Sequence, residues 1–181
     1  MKPMRIWRRV EQAIRELYES PKLLKGSGIQ TEDSFERHLH RHGIFLSRKV
    51  GYERYPNGKN FWPDFHVYDD RTILPIEIKS TRHKMIHLSQ TWIQSHAIYI
   101  IRCIQPTSVF ISYGKDMKTE EEDRQFKEFQ FAHRTFKEEW SKSKTFTSQI
   151  HWTSSMDLRY RLDDTQKANH YQRVLEELRR M

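Results

Sequence analysis

Apolar positions recur along this chain first with the period of a helix, then with that of a strand, and again with that of a helix. Trp7, Val10, Ile14 and Leu17 repeat every three or four residues until Pro21, which predicts a helix over residues 5–20. A basic connector containing Gly26 leads to a second helix over 31–42, with Phe35 and Leu39 on one face and Gly43 just past its end. The alternation of apolar and polar residues then predicts strands over 44–55, 60–68 and 73–80. They are joined by the turn Pro56-Asn57-Gly58-Lys59, where Asn-Gly favours a hairpin, and by the polar turn Asp69-Asp70-Arg71-Thr72. Residues 85–93 carry a helical pattern. Residues 96–103 are almost continuously apolar, as in a strand buried on both faces, and 108–113 read as a further strand.

Thr119 and Glu122 form a capping box ahead of a long helix to about residue 142. Phe126, Phe129, His133, Phe136 and Trp140 fall on one stripe of it, which predicts a core-facing side rather than a dimer seam. A short strand over 149–153 follows. A last helix over 164–180 turns Tyr171, Val174, Leu175 and Leu178 inward. The expected architecture is one α/β domain over residues 1–181, an antiparallel meander plus further strands in a mixed sheet flanked by helices.

Composition narrows the partners. The 181 residues carry 32 Lys and Arg against 24 Asp and Glu, a net charge of +8, and this excess points to a polyanion, nucleic acid first. Aromatic residues make up 13% of the chain, enough for a packed core and too many for a disordered one. No apolar stretch is long enough for a membrane span, and the first residues carry no secretory signal pattern. Cys103 is the single cysteine, which excludes a disulfide framework within the chain and any multi-cysteine zinc module. A reducing, cytoplasmic setting is expected.

The candidate chemistry lies on the second and third strands. Phe61, Phe65 and Val67 should share one face, with Trp62, Asp64 and His66 on the other; Leu74, Ile76 and Ile78 oppose Glu77 and Lys79 in the same way. A four-residue turn over 69–72 pairs Tyr68 with Ile73, and that register sets Asp64 across from Glu77. Cross-strand Cβ atoms lie about 4.5–5.5 Å apart, so the two carboxylates need a cation or a shared proton. Mg²⁺ suits such an oxygen pair, and Lys79 lies one pleat away. Metal-assisted hydrolysis of a phosphodiester uses groups of this kind.

Pro63-Asp64, twelve residues, then Glu77-Ile78-Lys79 resembles the motif of the PD-(D/E)xK nuclease superfamily, over residues 31–113 and most like a type II restriction endonuclease. The resemblance implies a restriction-endonuclease-like fold and a homodimer cleaving double-stranded DNA with Mg²⁺, Mn²⁺ being a substitute. Asp64, Glu77 and the main-chain oxygen of Ile78 would hold the metal, and Lys79 would orient or deprotonate the attacking water. Glu36 would be a further ligand from the preceding helix, unless it joins Asp33 in capping that helix. A repair, recombination or junction-resolving nuclease, or a non-catalytic nucleic-acid-binding module, fits the same residues.

No Asp or Glu occurs between Ile78 and Lys115, a stretch that includes Arg102. Arg82, His83, Lys84, His87, Ser89, Gln90 and Gln94 are its candidate DNA contacts, with Arg82 and Lys84 assigned to phosphates and Gln90 and Gln94 to bases. His38 and His42 have the i, i+4 spacing of helical metal ligands. With no third ligand nearby in sequence, they read as surface histidines.

Overall fold

The computed structural model describes residues 6–59, 61–82, 85–87, 92–142 and 159–181. Helices α1 (Ile6–Glu19) and α2 (Ile29–Arg41) precede a meander of β1 (Gly51–Arg54), β2 (Phe65–Asp69) and β3 (Thr72–Thr81). After β4 (Met85–His87), β5 (Ile98–Cys103) and β6 (Ser108–Tyr113) form the second hairpin of the main sheet. Then come the short α3 (Gly114–Met117), the long α4 (Glu120–Lys142), β7 (Arg159–Arg161) and α5 (Lys167–Arg180). The main sheet has the order β1-β2-β3-β5-β6, and β4 pairs with β7 in a separate two-stranded ribbon. The β3–β5 pairing is parallel and its neighbours are antiparallel, so the sheet is mixed as expected.

One face of this sheet carries the larger core. Phe65, Val67, Ile76, Ile98, Ile100 and Ile111 are fully buried there against Trp7, Val10, Ile14, Phe35 and Leu39 from α1 and α2, and against Val174 and Leu175 from α5. The other face carries a smaller cluster, Ile86, Ile93, Ala97, Tyr99, Ile101, Phe110 and Leu162, with Trp62 and Trp92 packed beside it. The alternate residues of β5 therefore serve two cores. That accounts for its unbroken apolar sequence.

Several expectations need correction. The strand expected over 44–55 is reduced to Gly51–Arg54, because the chain folds back on itself ahead of it. Ser47 N–H donates to Tyr52 O, and Tyr52 N–H donates to Phe45 O. A side chain at Gly51 would meet the Phe45 carbonyl at 2.1 Å, so only glycine permits this approach. The strand expected over 60–68 begins at Phe65, and Phe61 lies 68% exposed instead of beside Phe65, since the 55–64 loop breaks the alternation.

The helix expected over 85–93 is, at residues 85–87, the strand β4, whose partner β7 lies more than seventy residues further along the chain. Local periodicity carries no sign of so distant a partner. On α4 the capping box forms: Glu122 N–H donates to Thr119 Oγ1 and Thr119 N–H to Glu122 Oε2. Among the described side chains of its aromatic stripe, Phe126 is the buried one. Phe126 is buried and stacks on Trp92 with centroids 4.4 Å apart, whereas Phe129 and Phe136 are 52% and 59% exposed. Amphipathic spacing marks a stripe, not what covers it. The strand expected over 149–153 lies outside the described residues.

Candidate active site

The β2–β3 register is the expected one: Tyr68 faces Ile73 and Phe65 faces Ile76. β2 starts at Phe65, whereas β3 runs on to Thr81, so the two strands part company at Asp64 and Glu77. Side-chain bonds stitch this corner. Ile78 N–H donates to Asp64 Oδ2 at 2.7 Å, and Asp64 N–H donates to Glu77 Oε2 at 3.2 Å. Tyr55 N–H donates to the Asp64 carbonyl at 2.8 Å, which fixes the other side of the residue. In an extended strand a residue's N–H and C=O point the same way. The Ile78 carbonyl therefore opens on the edge that Asp64 occupies.

One member of the pair is enclosed and the other, Asp64, is half-buried. Glu77 is only 5% exposed, and its Oε1 lies 2.5 Å from Lys79 Nζ. Burial, then the charge of Glu77, pushes the Asp64 carboxyl up to about 7, against the opposing pull of Lys79 and the Ile78 N–H. Burial alone would lower the Lys79 ammonium. The attraction of Glu77 and Asp64 outweighs it and holds Lys79 above its ordinary value. Lys79 is thus a fully charged donor in the metal-free protein, suited to orienting a water or phosphate oxygen rather than to removing a proton. Tyr99, beside Glu77 in the parallel register, accepts a hydrogen bond from Gln94 N–H, and this brings the 92–97 loop over the same sheet face.

Helix α2 carries Glu36, the carboxylate expected to join this corner. Both oxygens of Glu36 are occupied, accepting from Tyr52 Oη at 2.5 Å and from Arg54 Nη1 at 2.8 Å. The capping alternative does not form either: Gly28 occupies the N-cap position and no side chain caps the helix. Glu32 is the helix carboxylate whose charge is felt by both Asp64 and Lys79. It is held by the Tyr55 hydroxyl and by Arg54 Nη2, and its bond raises the Tyr55 phenol, after burial, to about 12. Glu32 and Glu36 lie four residues apart on one helical face, which is the signal that could have identified Glu32.

Arg54 holds this wall together, reaching Glu32, Asp33 and Glu36 from a side chain only 17% exposed. Arg54→Ala is expected to cost about 2–4 kcal/mol, because it leaves half-buried carboxylates unpaired. A shift of the urea midpoint at constant slope checks this.

Three of the candidate DNA contacts lie among the described residues. Arg82 is exposed just beyond the end of β3, while Gln94 is half-buried on the 92–97 loop with its amide donating to the Trp92 carbonyl. His87 lies on β4, and His83, Lys84, Ser89 and Gln90 lie outside the described residues. Arg102 is a structural residue, donating to the carbonyls of Leu24 and Gly26 at 2.8 and 2.6 Å. Lys115 pairs with Glu177 on α5. Among the described residues of the acid-free segment, Arg102 and Lys115 are engaged within the chain and Arg82 is exposed.

Models of known protein families, curated proteins and solved structures offer no match to this chain. No helix among the described residues is long and apolar enough to cross a membrane. The corner of Asp64, Glu77 and Lys79 has to be read on its own chemistry.

Proposed function

We propose that this protein is a divalent-metal-dependent endonuclease that hydrolyses phosphodiester bonds of double-stranded DNA, most like a homodimeric type II restriction enzyme. The observation that carries the reading is the Asp64–Glu77 pair at the parting of β2 and β3, with Lys79 seated on Glu77. A buried and a half-buried carboxylate at one corner resist ionising together, and the donor set beside them, including the Ile78 carbonyl, is all oxygen. That set fits Mg²⁺, or Mn²⁺ in its place. Asp64, Glu77 and the Ile78 carbonyl would hold the ion, which supplies charge neutralisation at the phosphate and acidity for the attacking water.

The chain's own groups do the rest. Asp64 is oriented by the Ile78 N–H, so its free oxygen is aimed before any ligand arrives. Lys79 moves from Glu77 to the water or a phosphate oxygen once Glu77 is otherwise engaged, and contributes its charge where negative charge develops. The negative charge of Glu32 is felt at Asp64, so Glu32→Gln is expected to weaken Mg²⁺ binding more than Glu36→Gln, by calorimetric titration. Arg82 is placed to meet a phosphate, and the net charge of +8 favours the approach of a polyanion.

Incubation of supercoiled plasmid with protein and Mg²⁺ or Mn²⁺ tests the reading. Discrete fragments support a restriction enzyme, and structure-dependent nicking supports a repair or junction-resolving enzyme of the same chemistry. Binding without cleavage under both ions would reduce the protein to a nucleic-acid-binding module and overturn the proposal.

A further inference from the structure

The i, i+4 histidines of α2 lack a third ligand in the neighbouring sequence, but folding brings one from α1. His42 Nε2 lies 2.7 Å from Glu16 Oε2, and His38 Nε2 lies 3.8 Å from the same oxygen. One donor atom from each of the three residues falls within 4.8 Å of the others. Metal–nitrogen and metal–oxygen bonds of about 2.0–2.2 Å place tetrahedral ligand atoms roughly 3.3–3.5 Å apart. The His42–Glu16 distance is shorter than that spacing, and an ion between the two would part them by about half an ångström.

A second, independent observation concerns His38. Expected at the surface, it is buried at 1% exposure, and its Nε2–H donates to the Ala13 carbonyl at 2.9 Å. The proton position follows, because a carbonyl can only accept. The lone pair is then on Nδ1, which is buried and has no partner. Buried polar atoms normally find one. Histidines that bind metals commonly show this division, with one ring nitrogen fixed on a main-chain carbonyl and the other given to the ion. Glu16 and His42, which both reach solvent, would swing to meet that nitrogen while the Ala13 bond stays in place.

We propose that Glu16, His38 and His42 form a binding site for a zinc-class ion, separate from the Asp64–Glu77 corner, which staples α1 to α2. Two imidazoles and one carboxylate select Zn²⁺ over Mg²⁺, whose preference is for oxygen. Glu16 is 46% exposed and His42 18%, so the ion enters from solvent and water completes the tetrahedron. Arg41 adds opposing positive charge nearby and limits the affinity.

The test is a calorimetric titration of the full chain with Zn²⁺, run beside Glu16→Gln, His42→Ala and Asp64→Asn. The expected result is one site per chain, indifferent to excess Mg²⁺ and to Asp64→Asn, and weakened about tenfold or more by Glu16→Gln and by His42→Ala. Both side chains reach solvent, and circular dichroism verifies that the variants fold. In parallel, the imidazole ¹⁵N resonances of His38 and His42 should shift on adding Zn²⁺. Absence of saturable binding overturns the proposal, as does unchanged affinity in both surface variants or a His38 signal that does not move. Loss of the site only in Asp64→Asn would place the ion at the carboxylate corner and overturn it equally.

Discussion

Asp64→Asn is expected to abolish Mg²⁺-dependent cleavage while making the metal-free protein more stable at pH 8. Removing a metal ligand takes away several kcal/mol of charge stabilisation, or about a thousandfold in rate. The amide oxygen can still accept the Ile78 N–H, so the corner keeps its shape. Stability moves the other way because Asp64 in the folded protein titrates near 7, well above its ordinary value of 3.8. A carboxyl whose folded value is raised favours folding at low pH. That contribution is complete below its unfolded value and is lost as pH rises through about 7. The asparagine variant has no such group. Its advantage over wild type should therefore be absent near pH 4 and grow to about 1–3 kcal/mol by pH 8 without metal. Thermal melts across that range in a chelator check the stability, and single-turnover cleavage checks the rate. Full cleavage by Asp64→Asn at saturating Mg²⁺ would remove the catalytic assignment.

Glu77→Gln should share the loss of cleavage but not the gain in stability, since it deprives the Lys79 ammonium of its partner. A cost of about 1–3 kcal/mol is expected there. The two carboxylates, similar on paper, are separated by this difference in sign.

The second large effect is that of Lys79→Ala. DNA binding in Ca²⁺ is expected to persist, while hydrolysis slows by about 10²–10⁴-fold, the usual worth of a positioned catalytic group. Because Lys79 is held charged by Glu77 and Asp64, Lys79→Arg should recover more activity than Lys79→Gln. Recovery by Gln alone would mean that hydrogen bonding matters and charge does not. Weaker binding with an unchanged single-turnover rate would make Lys79 a phosphate clamp only.

What could be read from the sequence was what is local. The register that sets Asp64 across from Glu77 followed from a short polar turn, since so few residues leave little freedom in how the strands pair. Glu77 and Lys79, two apart on one strand, had to share a face. The inward residues of α1 and α5 followed from helical spacing in the same way. What escaped depends on contacts between distant parts of the chain. β4 is a strand because β7 lies beside it, and Glu16 meets His42 because α1 crosses α2. Glu36 is taken up by Arg54 and Tyr52, residues that no spacing rule joins to it. The outer aromatics of α4 show the same limit: a periodic stripe is written in the chain, its covering is not.

The double burial of β5 has a consequence for motion. Its main-chain amides lie between β3 and β6, with packed side chains above and below, so local opening does not expose them to solvent. Their exchange with deuterium should require unfolding of the whole sheet, whereas the amides toward the end of α4 should exchange early. β3, which carries Glu77, Ile78 and Lys79, is hydrogen-bonded along β5 and belongs to the same slow unit. The β3 side of the proposed corner is then a rigid anvil, and whatever binds against it must do the bending.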